Sequence, residues 1–381
     1  MTRRRVVVAM SGGVDSSAVA ALMVEAGHEV IGLSMKTHRG APKGAKACCT
    51  PDDMRDARRV ADKLDIPFYL LNYEALFERE VIEPFARAYA EGRTPNPCVD
   101  CNDKVKFVPL LERAQMLGAD VLVTGHYARI VCDPSGARRL ARGVDPNKDQ
   151  SYFLYRLTQA QLAMLEFPLG GMHKDEVRGH AERLGLGVDV AQKRESQEIC
   201  FVGSEGYAET VERILGRSLP EGDIVDGEDR VVGRHQGIHR FTLGQRRGLG
   251  IAHEEPLYVT GVDVSRNVVR VGAAGSLNAQ GIRLERAKWT AGVPRIGDRL
   301  LLQQRYHGTP CVAEVTAIQA DGSEVTLHFD TEGRSGGLGQ AAVLYQDDVV
   351  VGGGVIIEVI RQVDRRNHAC AVADTLGLTA Y

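Results

Sequence analysis

Two cysteines three residues apart, Cys98 and Cys101, stand in the stretch "GRTPNPCVDCNDKVKF", residues 92 to 107. Thiols at that spacing suit half a zinc site, a redox couple, two corners of an iron–sulfur cluster, or one nucleophile beside a bystander. Cys101 lies in a polar stretch next to Lys104 and Lys106 with Arg93 nearby, a setting that lowers a thiol's pKa. A second chemical element is "SGGVDSS" at residues 11 to 17, a Gly-Gly turn between an apolar run and a helical pattern. Backbone N–H groups and the positive end of a helix favour a phosphate there. The spacing is not that of a Walker A loop, and the lysine that reaches the outer phosphates is absent. Amides together with the hydroxyls of Ser11, Ser16 and Ser17 suit a pyrophosphate that leaves intact, which implies attack at the α-phosphate, an adenylation. Asp15 is placed to hold Mg²⁺ against the phosphates. The plain alternative is a tight strand-to-helix turn with serine caps.

Such groups need a frame. To about residue 200, short β-branched runs ("RRVVVAM", "EVIGLSM", "PFYLLN", "ADVLVTGHYARI") alternate with helical patterns ("SSAVAALMVEAG", "PDDMRDARRVADKLD", "KVKFVPLLERAQMLG"). That alternation predicts an α/β fold, a doubly wound parallel sheet with crossover helices. Two polar insertions rich in glycine and proline, "KTHRGAPKGAKACCTP" and "EGRTPNPCVDCN", fall where active-site loops of such sheets lie. Beyond "ESQEICFVG" the pattern turns to short strands with Gly- and Asp-rich turns, which predicts two small β domains, the last a β-barrel. The expected organisation is residues 1–205 for the nucleotide-binding catalytic unit, 206–278 for a central β domain, 279–358 for the barrel, and 359–381 for a tail without a motif.

The 381 residues carry 47 Lys and Arg against 50 Asp and Glu, a net charge of −3 that neither requires nor forbids a nucleic-acid partner. The basic start is followed by an apolar run too short for a signal peptide, and no stretch is long enough for a membrane span. A cytosolic protein is expected. Its eight cysteines then read as thiols, metal ligands or catalysts more than as disulfides. Cys132, Cys311 and Cys370 read as buried small hydrophobes. Cys48 and Cys49 read as structural, with sulfur handling or metal binding as the alternative.

"SGGVDS" directly after the first strand resembles the signature of the PP-loop ATP pyrophosphatases, and "VTGHYARI" resembles their second element, with Gly125 near the adenosine. His126 reads either as a hydrogen-bonded structural histidine or as a catalytic group. No glutaminase-like region is visible, which argues against a glutamine-dependent synthetase. The ordered run "SGGVDSS", "GRTPNP", "CNDKVKF", "TGHYAR", "NKDQSYFLY", "SQEICFVG", "GRHQGIHRFTLGQRRGLGI", "RYHGTPC" and "GGGVI" resembles the tRNA-specific 2-thiouridylase family over nearly the full chain. The resemblance implies that ATP activates the C2 oxygen of a wobble uridine and that a persulfide, loaded by a relay protein, delivers sulfur. It makes Cys101 the nucleophile and Cys200 the persulfide carrier, the two joining in a transient disulfide. By the same resemblance Ala9, Met10, Ser11, Gly12, Gly13, Val14, Asp15, Ser16, Met35 and Gly125 bind ATP. Asn96, Pro97 and Cys98 touch the target base, and Lys148, Asp149, Gln150, Arg305 and Tyr306 contact tRNA.

Many family members carry an acid where this chain has Cys98. The three thiols Cys98, Cys101 and Cys200 therefore offer a second option, three corners of a [4Fe–4S] cluster with one iron open for sulfur. Zinc fits less well for want of a fourth ligand. Two competing functions remain, a PP-loop thiolase of the 2-thiocytidine type and a module that binds nucleotide and RNA without catalysis.

Overall fold

The computed structural model describes residues 2–38, 50–183 and 199–361. Cys48, Cys49, Cys370, the tail from 362 onward and most of "KRESQEIC" lie outside the described residues.

Val6, Val7 and Val8 of strand β1 (Arg5–Ala9) are fully buried, because β1 is the middle of a five-stranded sheet. The order is β3-β2-β1-β4-β7, and every pairing is parallel. The other strands are β2 (Glu29–Lys36), β3 (Phe68–Asn72), β4 (Val121–Val123) and β7 (Leu165–Glu166). Alternate residues of one strand feed opposite cores, as a period of two demands. Val6 and Val8 join α1 (Val14–Glu25), α2 (Pro51–Lys63) and α8 (Lys174–Arg183), whereas Val7 joins α6 (Val108–Met116). This is the expected doubly wound layer.

The second of those cores does not end with the sheet. It runs on through Tyr152, Leu154 and Tyr155 into Ala341, Val343, Tyr345 and Val350. The last four belong to a closed barrel of six antiparallel strands: β12 (Asn278–Trp289), β15 (Val325–Arg334), β14 (Cys311–Ile318), β13 (Arg299–Gln303), β16 (Ala341–Gln346) and β17 (Val349–Ile360). Pairing of β12 with β17 closes it. The glycine run of β17 marks the close approach. A Cβ on Gly353 would lie 3.0 Å from the Tyr155 ring, and one on Gly352 would lie 2.5 Å from that of Trp289.

Four expectations change. "ADVLVTGHYARI" is not one strand: Val121–Val123 lies in the parallel sheet, while Ala128–Cys132 (β5) leaves it. β5 pairs with β6 (Arg138–Arg142), and β6 meets β17, so this hairpin extends the barrel's sheet. The chain must turn at Gly125 because the loop there presses on helix α1. The region after 205 opens with a helix, Tyr207–Leu215, before its four-stranded sheet β10-β11-β8-β9 (β8 Gly222–Val225, β9 Val231–His235, β10 Tyr258–Asp263, β11 Val268–Gly272). Cys132, expected in a core, is exposed at the end of β5, and Cys311 is half-buried. The "CVDCN" stretch is not a loop but the start of a long helical rod. It comprises α5 (Pro97–Asp100), a π-helical segment Cys101–Phe107, and α6.

Candidate active site

Gly12 and Gly13 join β1 to α1. Gly12 has φ +77°, and a Cβ on it would fall 1.9 Å from the Asp53 carbonyl oxygen, so only glycine fits. Asp53 is held in place by a capping box with Thr50 at the start of α2. Gly13 caps α1 with no side-chain hydrogen bond, which leaves the helix end suited to an anion. The serines shape the turn themselves. The Ser11 N–H donates to Ser16 Oγ at 3.1 Å, and the Ser16 and Ser17 hydroxyls donate to the Gly13 carbonyl at 3.1 and 2.9 Å. Ser11 and Ser16 thus fix the loop, and Ser17 is fully buried. Ala9 ends the strand and Met10 follows it, and Met35 lines the opposite core from Val14. A Cβ on Gly125 would sit 3.1 Å from the Ser16 nitrogen, which places the β4 loop against the first turn of α1.

Asp15 accepts hydrogen bonds from the Tyr127 hydroxyl at 2.7 Å and from Lys174 Nζ at 2.6 and 2.8 Å. Nothing in the local sequence announced Lys174, 159 positions away at the head of α8. A single carboxylate is enough for Mg²⁺ when nucleotide phosphates supply the other oxygens, so the donors present fit that ion with ATP as co-ligand. Tyr127 carries the network further. Its backbone N–H donates to Gln150 Oε1 at 3.0 Å, and its carbonyl accepts from the Gln150 N–H at 2.8 Å.

His126 is held by Thr124 Oγ1 at 2.7 Å and lies between the rings of Phe107 and Phe167. Burial, with the Lys106 charge adding to it, pushes its pKa down from 6.5 to about 3, so the ring is neutral at pH 7. Because the folded pKa is depressed, the unfolded chain takes up the proton first. Stability is complete above about 6.5 and falls as pH drops toward 3. Thermal melts should show a smaller loss between pH 7 and pH 4 for His126→Gln than for the wild type. An equal loss in both proteins would remove His126 as the cause.

Cys101 and Cys200 are both half-buried and pack against one apolar cluster that includes Phe77, Val81, Phe85, Val105 and Phe201. The fold thus brings two thiols 99 positions apart in the sequence (200 − 101 = 99) against the same apolar cluster. The basic setting expected around Cys101 is largely spoken for. Lys104 pairs with Glu80 at 3.4 Å, and Arg93 pairs with Glu91. What holds the segment is Arg156, which sequence reasoning missed. Its guanidinium reaches Asp100 at 2.6 Å and Asp103 at 3.5 Å, on either side of Cys101. Desolvation by burial raises the Asp103 pKa. Asn102, between them, is 5% exposed, and its Oδ1 has no hydrogen-bond partner. Among the described residues no three His, Cys, Asp or Glu side chains are arranged to hold a metal. Cys98 is exposed on the first turn of α5, three residues before Cys101 along the helical rod.

The residues expected to meet RNA fall into two groups. Asn96 reaches the Tyr152 hydroxyl, the field of exposed Arg305 acts on the same hydroxyl, and the Tyr306 ring lies 4.4 Å from that of Phe153. Pro97 is buried beneath them as the first residue of α5. The barrel loop also holds "GRTPNP" directly, since the Thr94 N–H donates to the Leu338 carbonyl at 2.7 Å. Asp149 is held within the protein. It is 8% exposed and accepts from Arg142, the Gly143 N–H, and the Ser151 N–H and hydroxyl, all at 3.0 Å. Its carboxylate oxygens are used in shaping the loop. Lys148 and Gln150 flank it, both half-buried, with Gln150 turned toward Tyr127.

Comparison with known proteins decides the family. The chain is 49% identical over 372 residues to the tRNA-specific 2-thiouridylase MnmA of Geotalea uraniireducens, covering 96% of this chain and 98% of that protein. This chain belongs to the tRNA-specific 2-thiouridylase family. The protein of the same name from Geobacter metallireducens is 50% identical over 93% of this chain and 97% of its own. That of Magnetococcus marinus is 46% identical, over 93% of this chain and 99% of its own. Three family models match in succession: a tRNA methyl transferase HUP domain at residues 4–204, a tRNA methyl transferase PRC-barrel domain at 208–273, and an aminomethyltransferase beta-barrel domain at 279–356. A solved 4-thiouridine synthetase–RNA complex with bound ATP overlays 56% of this chain and 50% of its own at a TM-score of 0.34 and 15% identity, too slight a likeness to argue from. Among the described residues no helix of this 2-thiouridylase is long and apolar enough to cross a membrane.

Proposed function

We propose that this enzyme converts the wobble uridine of tRNA to 2-thiouridine in the cytosol, through an adenylated C2 oxygen and a cysteine persulfide. The supporting observation is the meeting of Cys101 and Cys200 at one apolar cluster, in a chain whose Gly-Gly turn is built without a Walker lysine of its own. The C2 carbonyl of uracil is urea-like and resists nucleophiles. Its oxygen attacks the α-phosphate of ATP, pyrophosphate leaves, and C2 then carries AMP as a leaving group. Asp15 and the nucleotide phosphates would hold Mg²⁺, which supplies positive charge as pyrophosphate departs.

A relay protein leaves its sulfur on Cys200 as a persulfide. The terminal sulfur bonds to C2 and AMP leaves. The Cys101 thiolate then attacks the Cys200 sulfur, the persulfide S–S bond breaks, and its electron pair stays on the sulfur now bound to C2. The product is 2-thiouridine and a Cys101–Cys200 disulfide, which two electrons from an external thiol reset. Arg156 keeps the Cys101 turn in register. The base enters beside Asn96, Pro97 and Cys98, while Lys148, Gln150, Arg305 and Tyr306 hold the RNA around it.

The reading is tested by incubating the protein with ATP, tRNA and a persulfide donor, then measuring AMP and digesting the tRNA for nucleoside analysis. One AMP per 2-thiouridine is expected. Thiocytidine in place of thiouridine would make the chain a different PP-loop thiolase, and no AMP at all would leave only a binding module.

A further inference from the structure

The Gly-Gly turn lacks the lysine that phosphate loops usually carry within their own motif, yet an ammonium stands beside it. Lys174 is 5% exposed, and its Nζ donates to both oxygens of Asp15 in the first turn of α1. It also lies 5.5 Å from the centre of the Tyr127 ring, whose hydroxyl holds the same carboxylate. Three features set it there. Its backbone N–H donates to Asp145 Oδ2 at 3.1 Å, Val177 and Ala181 of the same helix are fully buried against the alanines of α1, and Gly125 lets the β4 loop close over Asp15. A lysine buried at a helix start gains little from burial alone and loses hydration in full. Such a position makes sense where a more highly charged partner arrives.

Resting on the reading of this turn as an ATP site, we infer that Lys174 is the phosphate-binding lysine of the enzyme. In the empty site its charge is matched by Asp15. When the triphosphate enters, the ammonium turns to the phosphate oxygens and stabilises the pyrophosphate as it leaves, and the Asp15 carboxylate is freed for the cation that accompanies the nucleotide. The role that a Walker lysine fills from within its loop is filled here from the opposite end of the catalytic sheet's sequence.

Equilibrium binding separates this role from a structural one and needs no turnover, so it stands apart from the adenylation assay above. The probes are α,β-methylene ATP and adenosine, measured with the full-length protein at fixed Mg²⁺. Lys174→Met should weaken the ATP analogue by about tenfold or more and leave adenosine unchanged, and Lys174→Arg should recover part of the loss. Because Lys174→Met strands a carboxylate and risks misfolding, the same comparison is made on an Asp15→Asn background, where Lys174→Met strands no carboxylate. Asp15→Asn with Lys174→Met should bind the analogue more weakly than Asp15→Asn alone. Equal binding by those two proteins, or parallel losses for analogue and adenosine, would overturn the assignment.

Discussion

Replacing Cys101 with serine is expected to reduce thiolation by about three orders of magnitude or more, as loss of a nucleophile does, while ATP and tRNA still bind. Cys101 begins the π-helical segment, and its side chain packs where Cys200 packs. Serine keeps the shape and the helix but cannot attack a persulfide sulfur. The informative partner is Cys98→Asp, which removes the first thiol of the pair and leaves a polar side chain in its place. Cys98 is exposed and contributes to no metal-ligand group among the described residues, so this variant should keep its persulfide-driven activity. Anaerobically purified protein is the material for both measurements. If iron and sulfide co-purify and Cys98→Asp is as dead as Cys101→Ser, sulfur passes through a cluster and the persulfide route fails.

Gly12→Ala should be nearly as damaging for a different reason. A side chain there meets the Asp53 carbonyl, which the capping box with Thr50 and the packing of α2 keep from retreating. The residue must also hold φ +77°, a conformation that costs alanine on the order of 1 kcal/mol before any clash. The turn will open, and with it the uncapped end of α1 proposed to hold the phosphates. Loss of ATP binding and a lower Tm are expected together, with tRNA binding retained by the barrel side. Gly13→Ala is the control, since the nearest atom to its Cβ is the Ser11 hydroxyl at 3.6 Å. If Gly12→Ala binds ATP as well as the wild type does, the turn is not the nucleotide cradle.

The α/β layer was legible because Val6, Val7 and Val8, flanked by a helix rich in alanine, can only be a strand covered on both faces. The barrel was legible from its turns. What escaped depends on partners distant in sequence. "TGHYARI" gives no local sign that its two halves join different sheets, since both are apolar enough for either. Asp149 reads as a solvated turn residue until Arg142 and Ser151 are seen to surround it. Lys174 and Arg156 lie in ordinary charged stretches, and only tertiary contact with Asp15 and with Asp100 shows what their charges do. Cys101 stood out in the sequence for the lysines beside it, but these face glutamate and the His126 side, and the clamp comes from Arg156 instead.

The hairpin of β5 and β6 means that the unit of exchange in this protein is not a continuous stretch of sequence. Residues 128–142 are made with the catalytic half but hydrogen-bonded to strands that emerge some two hundred positions later, and Tyr155 is seated against a glycine of the last strand. During synthesis the edge of β6 must wait, unpaired, until β17 has left the ribosome. A chimera that took only the barrel from a relative would inherit a mismatched seam, and one that carried 128–142 along with it would not.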